Sequence, residues 1–105
     1  MTRPVRVDTE AREEIEAAVA WYDVQTAQPL LGTELLDAVD AALAQVAERP
    51  GSFSLAPGVP ERLGARHCGL GRFPYRVVFI ELRDHVRVLA FAHVRRRPGY
   101  WRTRI

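Results

Sequence analysis

The apolar residues recur with two periods, and these divide the chain into a helical half and a stranded half. Val5 and Val7 flank Arg6 at a spacing of two, the mark of a short half-buried strand. Asp8 suits a helix N-cap, and Glu10, Glu13 and Glu14 fall in the first turns, where the helix dipole favours anions. Ile15, Ala18, Val19 and Tyr22 then recur at i, i+3, i+4 and i+7, one stripe on a helix over about residues 9–23. Residues 24–28 form a short connector, and Pro29 suits the first turn of a second helix. That helix carries Leu35, Leu36, Val39, Ala42, Leu43 and Val46 on one face, with Glu34, Asp37 and Asp40 outside, and Pro50-Gly51 ends it. So short a connector makes the pair an antiparallel helical hairpin, with Trp21 and Tyr22 packing between helix and core.

Residues 51–64 are rich in Gly and Pro, lack periodicity and are expected to form a loop. A strand is expected near residues 66–70. Residues 75–82 and 85–94 are dense in Val, Ile, Phe and Tyr and form two longer strands joined tightly at Arg83-Asp84. A two-residue turn places Ile80 opposite Arg87, Val78 opposite Leu89 and Arg76 opposite Phe91. Directly opposed residues share a side of the sheet. One face then holds Tyr75, Val77, Phe79, Val86, Val88, Ala90, Ala92 and Val94 and is expected to meet the helices. The other holds Arg76, Val78, Ile80, Arg87, Leu89, Phe91 and His93, with Arg95 next in phase. That mixed face is expected to stay open for a partner.

A length of 105 residues is one domain, and 48% hydrophobic with 27% charged residues is a globular composition. No uncharged stretch is long enough to span a bilayer and no apolar leader opens the chain, so a cytoplasmic protein is expected, without membrane contact. The one cysteine, Cys68, and three scattered histidines build neither a disulfide nor a zinc cage, so no metal and no cofactor are expected.

The net charge of +2 conceals a segregation. Residues 1–50 hold four arginines against ten acids, a net of −6, and residues 51–105 hold eleven arginines against three acids, a net of +8. Every basic residue is arginine, whose planar fork matches phosphate or carboxylate bidentately. The second half is therefore expected to seek nucleic acid, a nucleic-acid enzyme or an acidic protein segment.

The order strand, two helices, three strands, together with Trp21-Tyr22, Pro50, the run Phe73-Pro74-Tyr75-Arg76-Val77-Val78-Phe79, and His93 followed by Arg96, Pro98, Tyr100 and Trp101, resembles the RelE/ParE toxins of bacterial type II toxin–antitoxin systems. The resemblance covers nearly the whole chain. It implies an α+β fold, β-α-α-β-β-β, with an antiparallel helical hairpin on one face of a small, mainly antiparallel sheet. It also implies a cognate antitoxin as partner, with a homodimer or a toxin–antitoxin heterotetramer as assemblies left open.

Two functions live on that fold. RelE-type members cut mRNA in the ribosome, and ParE-type members poison DNA gyrase without doing chemistry. On the nuclease branch the resemblance makes Arg76 and Arg95 or Arg97 phosphate ligands, and His93 an acid or base, its ordinary pKa lying near neutrality. The lysines of RelE-type members are absent, Arg62 and Arg66 being the nearest cations, and their C-terminal tyrosine falls at Trp101 or one residue from Tyr100. The Trp-Tyr pair and the tail look more like the ParE branch. Arg76, Arg87, Phe91, His93, Arg95, Arg96, Arg97, Tyr100 and Trp101 are then the candidate partner-binding residues. Tyr100 and Trp101 have a second reading, as a clamp that holds the tail to the body.

Overall fold

The computed structural model describes residues 2–25 and 27–105, so Thr26, in the expected connector, lies outside the described residues. The elements run β1 (Val5–Val7), α1 (Thr9–Gln25), α2 (Leu31–Glu48), β2 (Ala65–Leu70), β3 (Phe73–Glu81) and β4 (Val86–His93), with short 3-10 turns at Pro50–Ser52, Glu61–Leu63 and Arg102–Arg104. The sheet order is β1-β4-β3-β2, with β1 parallel to β4 and the other pairs antiparallel. This is the expected α+β arrangement of a helical hairpin on one face of a mainly antiparallel sheet. No helix among the described residues is long and apolar enough to cross a membrane.

Both helices follow their stripes, with local departures. Ala11, Ile15 and Ala18 of α1 and Leu35, Val39, Ala42 and Val46 of α2 are buried against Val77, Phe79, Val86 and Val88. Leu36 and Trp21, expected in the packing, are exposed instead, each just off the buried stripe. Pro29 precedes the second helix rather than entering its first turn. Leu30 takes a left-handed φ of 72°, and its carbonyl accepts the Glu34 N–H as the helical ladder begins.

The tight turn at Arg83-Asp84 is present, with the Leu82 N–H donating to the His85 carbonyl and Glu81 opposite Val86. Farther along, the expected register is wrong by one. Phe79 pairs with Val88, but Val78 pairs with Ala90, so Leu89 is an extra residue on β4. A bulge of this kind reverses the facing of every residue beyond it. Phe91 therefore turns towards the helices, 2% exposed and stacked 4.6 Å from the Tyr75 ring. Ala90 and Ala92 move to the opposite face, and His93, expected beside Arg76, pairs with Tyr75 on the helical side instead, reaching both faces only because it stands at the end of the sheet. Steric fit explains the exchange: the large ring joins the thick helical layer and the alanines lie under the thin one.

That second layer corrects another expectation, that of a wholly open face. Val78, Ile80, Leu89 and Ala90, with Ala65 of β2 beside them, are covered by Trp101 and Ala56, a small core of their own. Trp101 is 3% exposed, and burying such an indole contributes at least the ~1.5–3 kcal/mol of a large apolar side chain. The loop and the tail that supply this lid cross at two glycines. Gly58 and Gly99 have φ of 89° and 78°, and a Cβ on Gly99 would stand 2.6 Å from the Gly58 carbonyl oxygen. Only glycine permits that approach.

Candidate functional site

The tail is held at its far end by a carboxylate on α1. Glu14 accepts from the Phe91 N–H at 3.0 Å, from the Tyr100 hydroxyl at 2.7 Å and from Arg104 Nη1 at 2.8 Å. The same Arg104 Nη1 donates to the Leu89 carbonyl at 3.0 Å. β1 pairs with β4 only as far as Val88, so these side chains satisfy the backbone edge of β4 past the end of its neighbour. Burial alone would raise the Glu14 carboxyl, but the bonds from Arg104, Tyr100 and Phe91 outweigh it and hold it below the usual range. Burial and the Glu14 carboxylate push the Tyr100 hydroxyl well above its ordinary value.

Arg87 belongs to this same framework and not to an open surface. Its Nε lies 3.1 Å from both Asp8 oxygens, its Nη2 lies 2.9 Å from Asp8 Oδ2, and it also donates to the Arg104 carbonyl. Asp8 is thus engaged as a carboxylate fork while its own carbonyl accepts the Arg12 N–H. Phe91 and Trp101, both buried, and Arg87, tied to Asp8, are corrected as members of an exposed partner-binding face. For Trp101 the clamp reading holds.

The remaining candidates converge, except Arg95, which stands outside the cleft. On the face away from the helices, a cleft of about 190 Å³ lies between the 56–57 loop and the tail, lined by His67, Arg76, His93, Arg96, Arg97 and Tyr100 over an apolar floor. Arg76 reaches it because strand alternation turns its side chain away from the helices, and because its β2 partner, Gly69, has no side chain to obstruct it. Arg76 Nη1 donates to His67 Nδ1 at 3.0 Å. Burial and the neighbouring guanidinium lower the His67 pKa, so the ring is a neutral acceptor at Nδ1 and carries its proton on Nε2.

His93 ends β4 edge-on to the Tyr75 ring, centroids 5.1 Å apart, and its Nδ1 accepts the Arg95 N–H at 3.0 Å. Its carbonyl accepts the Arg96 N–H, a turn after which Arg96 and Arg97, but not Arg95, line the cleft. Arg96 lies over the Tyr100 ring, 3.9 Å from its centroid. Among the described residues, none of Arg76, Arg95, Arg96 and Arg97 forms an ion pair with a carboxylate.

His67 and Glu14 carry no role in the sequence reading. The signal for Glu14 is its place on the buried stripe, between Ala11 and Ala18 at helical spacing, where a charge requires a partner. His67 has no such local signal. Its part depends on Arg76, nine residues away across the sheet.

Chemically the cleft is a set of donors. Two imidazoles whose Nδ1 lone pairs are occupied present N–H groups, and guanidiniums remain protonated. Such an array binds anions well and offers no free base for abstracting a proton.

No protein-family model matches the chain, and no curated protein matches it in sequence. Among solved structures the chain is similar to one described as a chromosomal ParDE TA system from P. aeruginosa. The identity is 22% and the TM-score 0.60, over 88% of this chain and 96% of that one. At that identity the likeness is one of fold, and it coincides with the architecture that the family resemblance implies.

Proposed function

We propose that the protein is the toxin of a type II toxin–antitoxin pair, and that it arrests growth by binding DNA gyrase rather than by cutting RNA. Support for the pair comes from the shared fold with the ParDE chain together with the Phe-Pro-Tyr-Arg strand and the arginine-rich tail. Support for binding over cleavage comes from one observation. His67 and His93 both have Nδ1 engaged, and the Tyr100 hydroxyl donates to Glu14, so no group in the cleft is poised as a general base. The unpaired arginines Arg76, Arg95, Arg96 and Arg97 are the contact surface for gyrase or for a neutralising antitoxin. The antitoxin is acidic, partly disordered when free, and folds on binding.

Induced expression without an antitoxin decides between the branches. The expected outcome is arrest with induction of the DNA-damage response and intact messenger RNA. Message cut within translating ribosomes would transfer the protein to the nuclease branch. Unimpeded growth would make it a degenerate member that keeps only antitoxin binding.

A further inference from the structure

The cleft has more specific chemistry than its charge. Its floor and walls are Ala56, Val78, Ala92 and Pro98, its rim is cationic, and no carboxylate lines it. At about 190 Å³ it is smaller than the roughly 300 Å³ at which sites for whole small molecules begin. That is room for one side chain. It also lacks a platform for a nucleobase: Arg96 already covers the Tyr100 ring, and Trp101 is buried. Binding to single-stranded nucleic acid depends on open aromatic faces for stacking.

We infer that the cleft seats one apolar side chain of an acidic protein segment, whose flanking carboxylates engage Arg76 on one side and Arg96 and Arg97 on the other. His67 and His93 also line the cleft. Identification of that segment as part of the antitoxin rests on the toxin reading above. The recognition itself, an apolar anchor between carboxylates, follows from the cleft alone. Charge complementarity selects the occupant, since among the described residues these arginines have no acid to satisfy them.

The test is a chemical-shift titration of the isotope-labelled full chain with a capped pentapeptide, a central leucine between two aspartates and two outer glutamates. The expected result is saturable shifts at the amides of Arg76, Ala92 and Arg97, about tenfold weaker binding when the leucine is replaced by alanine, and loss of binding in Arg76→Gln/Arg97→Gln. Pentathymidylate, with the same number of negative charges, is expected to bind more weakly than the peptide. Equal affinity for the leucine and alanine peptides, or tighter binding of pentathymidylate, overturns the inference. Ala92→Leu fills the cleft and is expected to abolish the peptide shifts, while the two arginine substitutions, both on exposed side chains, keep the test valid if that variant does not fold. Growth arrest is scored separately. Peptide binding by a chain that neither arrests growth nor responds to an antitoxin removes the toxin reading and leaves the cleft chemistry standing, and arrest without peptide binding does the reverse.

Discussion

The two ends of the C-terminal tail use one residue type for opposite purposes. At the far end Arg104 is half-buried and bound to Glu14, Glu10 and the Leu89 carbonyl, while Arg87 beside it is forked onto Asp8. At the near end Arg95, Arg96 and Arg97 project into solvent without a carboxylate partner among the described residues. The difference lies in what α1 supplies. Asp8 just before it and Glu10 and Glu14 in its first turns bring three carboxylates to the edge of β4, and among the described residues the face beyond the bulge brings none. A guanidinium that finds an acid inside the fold becomes structure, and one that finds none is left for another molecule.

Breaking the structural end has the largest expected effect. Glu14→Ala takes from Arg104 the closer of its two carboxylates and leaves the Phe91 N–H and the Tyr100 hydroxyl without their acceptor, at a cost of about 3 kcal/mol. Thermal unfolding should then begin roughly 10–20 °C lower. The same contact has a pH signature. Because the Glu14 carboxyl is depressed in the folded state, its contribution is complete above the ordinary value of 4.5 and disappears as pH falls through the lower folded value. The gap in melting temperature between the wild type and Glu14→Gln should therefore be constant from neutral pH to about pH 5 and close in stronger acid. A gap that closes already near pH 6 would assign the latch to another group.

Next in size is the crossing that holds the tail over the sheet. Gly99→Ala places a methyl 2.6 Å from the Gly58 carbonyl oxygen at a φ of 78°, a cost of about 1–3 kcal/mol. Fluorescence of Trp101, buried in the parent, should shift to the red before global unfolding if the tail loosens first. The smallest effect on stability, and the sharpest on function, belongs to the near end. Replacing Arg95, Arg96 and Arg97 together by glutamine should leave the unfolding free energy within about 1 kcal/mol. The same variant should relieve growth arrest on induction. Toxicity equal to the parent's would assign the contact surface elsewhere.

Legibility from the sequence differed between these regions for physical reasons. The helices were visible because an amphipathic stripe must bury one side, whatever lies opposite. The tight turn was visible because two strong strands enclosed only two polar residues. The facing of β4 was not. Residues 88–92 are apolar without interruption, so alternation carries no phase there, and the bulge at Leu89 is chosen by which layer has room for Phe91. That single residue decided which members of the candidate site are open. Arg76, lying before the bulge, was placed on the correct face, whereas Phe91 and His93, beyond it, were not.

What the sequence determined by itself was the inventory and its segregation: an acidic helical hairpin, an arginine-rich stranded half, and a tail whose aromatic and basic residues resemble one toxin family. Only the tertiary structure decided which arginines are consumed. Pairing is a matter of distance, and the distances that matter span up to ninety residues of chain, from Glu14 to Arg104 and from Asp8 to Arg87. No local pattern carries that information, because the energy of an ion pair depends on the solvent it loses and the partner it meets, and both are set only when the layers close.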